Sequence, residues 1–270
     1  MPIIDISILA VTGFFAGIFG TMLGIGGGVV FVPLFLLVFN YTPQQAIGTS
    51  LVVVFINALS GSLSYLRQRR VDIKAGWKFA LAALPGALLG AWLARYFTNL
   101  ILGLVFGILM IAVAIFILRR RDSSPNIIGK ERRTRTIIDS QGEAFNYHPR
   151  EGKGIIISFA VGIASSLLGI GGGIIHVPAL VYLLGFPIHI ATATSHFILA
   201  ISTFFGSAAH IMFGNVLFLP ALIVAAFAIP GAQIGARLSR RTKGYLIARL
   251  LAVILLLIGI RLILQSLGIF

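Results

Sequence analysis

Hydrophobic residues run along this chain in long blocks with almost no polar interruption. The blocks cover roughly residues 7–39, 45–66, 77–94, 99–118, 154–184, 190–212, 217–236 and 244–267. Each approaches or exceeds the ~20 residues that a helix needs to cross a bilayer. The pattern predicts an all-α, polytopic membrane protein. Two blocks, 7–39 and 154–184, are too long for one crossing: thirty-odd residues would make a helix of roughly 48 Å against a hydrocarbon core of about 30 Å.

Both long blocks are interrupted by the same motif. Leu23-Gly24-Ile25-Gly26-Gly27-Gly28, followed by Val32-Pro33, recurs 145 residues later as Leu168-Gly169-Ile170-Gly171-Gly172-Gly173, followed by Val177-Pro178. The same offset, without a gap, carries Thr49-Ser50 onto Thr194-Ser195, Pro85-Gly86-Ala87 onto Pro230-Gly231-Ala232, and Gly90-Ala91 onto Gly235-Ala236. The chain is one unit written twice: a first membrane repeat at 1–118, a polar linker at 119–153 and a second membrane repeat at 154–270.

The polar positions orient the repeats. Loop 67–78 holds Arg67, Arg69, Arg70, Lys74 and Lys78, while its counterpart 212–217 holds no basic residue. Loop 237–243 holds Arg237, Arg240, Arg241 and Lys243, while its counterpart holds only Arg95. Basic residues mark cytoplasmic loops, so the repeats are expected to be inverted. Folding each long block at its glycines gives a helical hairpin plus three spans per repeat, an odd number of crossings. Both termini then lie outside, and the linker, which reads as flexible, lies in the cytoplasm. The alternative is a long kinked helix in place of each hairpin. Arg95 and Arg261 are exceptions near outer ends of spans, Arg237 ends a span, and Trp77 reads as an interfacial anchor.

Composition sharpens this picture. The 270 residues are 58% hydrophobic and only 10% charged, against about 25% charged in soluble domains. The net charge of +14 would suit nucleic acid, but the basic residues cluster in loops between spans, which makes topology the reading and nucleic acid no partner. Basic runs in the linker could contact anionic lipid. No cysteine is present, so disulfides and thiolate metal sites are excluded. The first block lacks a basic leader and is expected to belong to the mature fold.

The seven acids are Asp5, Asp72, Asp122, Glu131, Asp139, Glu143 and Glu151, and none is expected at mid-membrane. A cationic solute would find no counter-ion there, so the pattern suits an anion or a neutral solute. Gly26, Gly27 and Gly28, and likewise Gly171, Gly172 and Gly173, lead into helices. A helix N-terminus offers unpaired N–H donors and partial positive charge, and glycine lets a ligand touch the backbone. Glycine runs also permit close packing or a bend. Thr49, Ser50, Thr194 and Ser195 could donate to an oxyanion, or bond back to their own helices.

The second repeat places His176, His196 and His210 where the first has Phe31, Leu51 and Tyr65. Any of them could be a packing residue. His196, beside Thr194-Ser195, is the best candidate to carry a proton with an anion, between about pH 6 and 7 for an unperturbed imidazole. Gln44, Gln45, Asn57 and Gln233 are further polar groups at or near spans. No residue spacing suits a metal, and no cofactor is expected.

Gly-Ile-Gly-Gly-Gly with Val-Pro beyond it, then Ala-x-x-Thr-Ser, then Pro-Gly-Ala, all in duplicate, resembles the TauE/SafE family of sulfite exporters. The resemblance covers both repeats and implies transport of sulfur-containing anions, such as sulfite or sulfonates, across the bacterial inner membrane. The histidines of the second half have no place in that pattern. The expectation is a secondary transporter binding a small sulfur oxyanion at the two glycine tips, with no cofactor. Alternatives are a passive anion channel, a membrane-embedded enzyme or a scaffold. The enzyme lacks any recognisable acid pair or nucleophile–base pair, since Ser195 and His196 are adjacent on a helix and do not face each other. Homo-oligomerisation is left open.

Overall fold

Ten α-helices, a 3-10 turn at Ala94–Tyr96, a π-helical stretch at Ala179–Leu183 and one short β-ribbon are the regular elements of the described residues. A computed structural model describes residues 2–96, 98–119, 134–242 and 244–267. The first repeat forms α1 (Ile3–Leu23), α2 (Gly28–Leu37), α3 (Pro43–Arg67), α4 (Ile73–Leu93) and α5 (Asn99–Arg119). The second forms α6 (Glu151–Leu168), α7 (Gly173–Pro178), α8 (Ile188–Met212), α9 (Phe218–Arg241) and α10 (Gly244–Ser266). Among the described residues, six helices are long and apolar enough to cross a membrane: α1, α3, α4, α6, α8 and α9. Many of their large apolar side chains, such as Phe15, Leu81, Leu88, Ile156, Leu219 and Leu222, are more than half or nearly half exposed. That is the surface of a protein solvated by lipid. The chain is a multi-pass membrane protein.

Each long apolar block is broken at its glycines. Helix α1 stops at Gly24, whose φ of 78° is left-handed, and α2 is N-capped by Gly27 at φ 86°. The N–H groups of Ile25 and Gly26 both bond back to the Gly20 carbonyl. A methyl group placed on Gly27 would lie 3.2 Å from the Ala16 carbonyl oxygen, so the chain has already turned back along α1 there. The second repeat copies this, with Gly169 at φ 74° and Gly172 at φ 80°. It differs beyond Pro178, where the α-turns of α7 give way to a π-helical stretch over Ala179–Leu183.

Contacts between the repeats are reciprocal about the 145-residue offset. Gly17 of α1 packs on the Ala228 backbone of α9, and Gly162 of α6 packs on the Ala83 backbone of α4. Gly86 and Gly90 face Phe159 and Ile163, while Gly231 and Gly235 face Phe14 and Ile18. Small residues are what let membrane helices approach this closely. Each hairpin is thus fastened to a helix of the other repeat. Helices α3 and α8 lie side by side in opposite directions: Gly61 meets His196, Leu51 meets Gly206, and each helix start lies beside the other's end.

The linker is not wholly flexible, contrary to the sequence expectation. Its second half forms an antiparallel ribbon, β1 (Arg135–Ile138) paired with β2 (Ala144–Tyr147). The ribbon is ordered by partners distant in sequence. Arg70, 2% exposed, donates from Nε and Nη2 to Asp139 Oδ2 at 3.0 and 2.8 Å. Ser140 N–H donates to the Gln68 carbonyl, Tyr147 donates to Asp72 Oδ2, and Arg135 bridges Asp72 and Glu151. Arg240 of α9 reaches Ser140. Loop 68–72, the ribbon and the end of α9 therefore share one end of the molecule. The expected basic positions Arg120, Arg121, Arg132, Arg133 and Lys243, with acids Asp122 and Glu131, lie outside the described residues. Arg95, at the opposite end, lies over the Phe213 ring at 5.1 Å.

Candidate functional site

The two glycine tips meet at the centre of the molecule, backbone to backbone. A methyl group on Gly28 would come within 2.6 Å of Ile170 Cα and 2.7 Å of the Gly169 carbonyl oxygen. One on Gly173 would collide with the Gly24 carbonyl and lie 2.6 Å from Ile25 Cα. Gly24, Gly26 and Gly27, and Gly169, Gly171 and Gly172, all have positive φ, which side-chain-bearing residues rarely adopt. The tips are fully enclosed. Only Gly28 and Gly173 lie inside the following helices; Gly26, Gly27, Gly171 and Gly172 form the turns.

Of the hydroxyls singled out in the sequence, Ser50 and Ser195 reach these tips and Thr49 and Thr194 do not, and none of the four bonds back to its own helix. Ser50 donates to the Gly169 carbonyl at 2.8 Å, and Ser195 donates to the Gly24 carbonyl at 3.0 Å. Thr49 accepts from the Leu217 N–H and Thr194 from the Asp72 N–H, both at 3.0 Å. Each hydroxyl therefore joins one repeat to the other. They sit nearly two turns into α3 and α8, whose starts are set by Pro43 and Pro187. Pro43 is the first helical residue, behind a capping box made by Thr42 and Gln45.

Around the first tip lies a buried chain of neutral polar groups. His196 Nε2 is 3.2 Å from Thr21 Oγ1, Thr21 donates to Asn57 Oδ1, and Asn57 donates to the Gly26 carbonyl at 3.1 Å. Tyr65 donates to the Thr21 carbonyl and meets the His196 ring edge-on. At the second tip His210 repeats the Tyr65 contact, reaching the Ser166 carbonyl at 3.1 Å. His176 pairs with Ser158 at 3.0 Å, away from that chain. Sequence reading passed over Thr21 and Ser166, although the 145-residue offset pairs them as hydroxyls. Asp5 and Glu151 lie in the first turns of α1 and α6, so every described carboxylate stays at the ends of the molecule. Among the described residues, no group of three or more His, Asp or Glu side chains could hold a metal.

The protein-family model for "Sulfite exporter TauE/SafE" matches residues 9–262, both repeats and the ribbon between them. The chain belongs to the TauE/SafE family. Among its relatives is the probable membrane transporter protein YunE of Bacillus subtilis strain 168, 37% identical over 96% of this chain and 97% of that protein. A probable membrane transporter protein of Sinorhizobium is 27% identical over 96% of this chain and 92% of its own length. Another, from Methanocaldococcus jannaschii, is 29% identical over 70% of this chain and 66% of its own. No solved structure matches. TauE/SafE membership and these relatives make the chain a membrane transporter.

Proposed function

We propose that the chain is a secondary carrier of a small sulfur oxyanion or sulfonate, bound where the two glycine tips meet. The observation that carries this reading is the central junction itself: two helix N-terminal turns stripped of side chains, ringed by neutral hydrogen-bond donors, with every described carboxylate far away at the ends. Here the junction is closed on itself. Parting the tips would free the Ser50 and Ser195 hydroxyls from the Gly169 and Gly24 carbonyls, and would expose backbone N–H groups at Gly28 and Gly173. An anion could then take their place. Since α1 is fastened to α9 and α6 to α4, the units that rock would exchange hairpins between repeats. A thermal-shift screen against sulfite, thiosulfate, sulfoacetate, taurine, sulfate and carboxylates tests the reading. A sulfur oxyanion or sulfonate should raise the apparent stability selectively; equal response to every solute would remove the substrate class.

The repeats are proposed to be inverted across the membrane, with the ribbon end cytoplasmic and both termini outside. The antiparallel course of α3 and α8 and the gathering of basic loops at one end support this. Single cysteines read cleanly in a cysteine-free chain. Position 3 should label from outside in intact cells, and position 130 only after the membrane is opened. External labelling of position 130 would overturn the orientation.

If transport is proton-linked, His196 is the proposed carrier of the proton, because no described carboxylate lies at the tips. His196→Gln should flatten the pH dependence of flux while leaving some binding, since backbone and hydroxyl donors remain. An identical pH profile for both proteins would leave His196 as a partner of Thr21 only.

A further inference from the structure

We propose that Val54 and Leu199 form a paired aliphatic seal across the transport path at the tip junction. The two residues are equivalent under the 145-residue offset, each is the twelfth residue of a 25-residue helix, and both are fully buried. Each reaches both tips. A methyl group on Gly26 would stand 2.9 Å from Val54 Cγ1 and 3.5 Å from Leu199 Cδ2. One on Gly171 would stand 2.5 and 2.6 Å from the same two atoms. Among the described residues, Val54 and Leu199 are the side chains that stand within 4 Å of a methyl group on Gly26.

Their neighbours along the helices distinguish them from ordinary core. Residues at i, i+4 and i+7 share a helix face. On α3 that face reads Ser50, Val54, Asn57, and both polar members donate to tip carbonyls. On α8 it reads Ser195, Leu199, Ser202, and Ser195 again donates to a tip carbonyl. Each stripe is polar, then aliphatic, then polar. A polar path interrupted by one apolar layer at mid-depth closes by excluding water and ions, as hydrophobic constrictions do. Val54 and Leu199 offer no hydrogen bond, so they seal the junction between turnovers, and an anion entering the opened tips must displace them.

This inference rests on the tip-binding reading, and its test separates the two. Val54→Cys and Leu199→Cys are made singly in the cysteine-free chain, reconstituted in liposomes and exposed to a membrane-impermeant methanethiosulfonate. Both cysteines should react, and sulfoacetate, a sulfonate inert to the reagent, should slow the reaction. Val53→Cys, buried one position away on α3, serves as the control and should stay unreactive. The double variant Val54→Ala/Leu199→Ala should leak small anions at least tenfold faster than the native protein. Unreactive cysteines together with liposomes as tight as native would overturn the seal and leave the pair as core packing. Reactive cysteines and a leak, with no protection by sulfoacetate or taurine, would uphold the seal and contradict the anion reading.

Discussion

Gly28→Val and Gly173→Val will each prevent the two tips from closing. Both glycines have ordinary helical backbones, so the effect is one of space and not of strain. The added Cβ at Gly28 meets Ile170 Cα and the Gly169 carbonyl, and at Gly173 it meets the Gly24 carbonyl and Ile25 Cα. These are backbone atoms, which cannot swing aside as a side-chain end can. The tips must separate, and the Ser50–Gly169 and Ser195–Gly24 hydrogen bonds go with them. Overpacking alone costs about 1–3 kcal/mol, and each lost hydrogen bond adds about 1 kcal/mol. A loss of about 3 kcal/mol or more follows, read as a large fall in melting temperature in detergent and loss of flux. Gly152→Ala is the control: nothing lies within 4 Å of its added Cβ. Equal melting temperatures for Gly28→Val, Gly173→Val and the native chain would show that the tips are not packed as described.

Asp139→Ala should undock the ribbon. Arg70 and Asp139 are shut off from water, with side-chain exposures of 2% and 0%, so removing the carboxylate leaves a buried guanidinium without its main partner. Breaking a buried pair costs about 3–5 kcal/mol. Glu143 Oε2 remains 3.6 Å from the guanidinium, so the lower end applies. Amide exchange at Ser140, Gln141 and Glu143 should accelerate by about a hundredfold, since 1.4 kcal/mol is a factor of ten. Burial acts to raise the Asp139 pKa, but the Arg70 guanidinium and the N–H groups of Gln141 and Glu143 outweigh it and hold the carboxyl below its ordinary value of 3.8. A carboxyl with a lowered folded-state pKa stabilises docking fully above the unfolded value and loses that contribution as pH falls through the folded one. Docking should therefore be insensitive to pH near neutrality and weaken only in acid below 3.8. Unchanged exchange in Asp139→Ala would mean that the ribbon is held by Tyr147, Arg135 and the bonds of Ser140 without the Arg70 pair.

The helices were legible because a bilayer forces long apolar runs, and the helix breaks because glycine was written twice at one offset. The offset also foretold which helices correspond. It did not foretell that α1 would pack on α9 and α6 on α4, since the small residues that permit this mark a close approach without naming its partner. The ribbon was missed for a different reason. Arg135–Ile138 and Ala144–Tyr147 are short and polar on one face, and what orders them is a carboxylate–guanidinium pair with Arg70, far away in the chain. The hydroxyls of Ser50 and Ser195 were picked out, but their partners are carbonyls of the other repeat, which no side-chain pattern discloses. Val54 and Leu199 are aliphatic residues among dozens, and only their contact with both tips distinguishes them.

Radiolabelled sulfite counterflow in proteoliposomes reads the proposed carriage of a small sulfur anion through the tip junction. Liposomes preloaded with unlabelled sulfite should take up external label rapidly, with a rate that saturates as external sulfite rises. That uptake should vanish in Gly173→Val and persist in Gly152→Ala. Uptake no faster than in protein-free liposomes, or a rate that rises without saturation and carries current like a pore, would contradict the account.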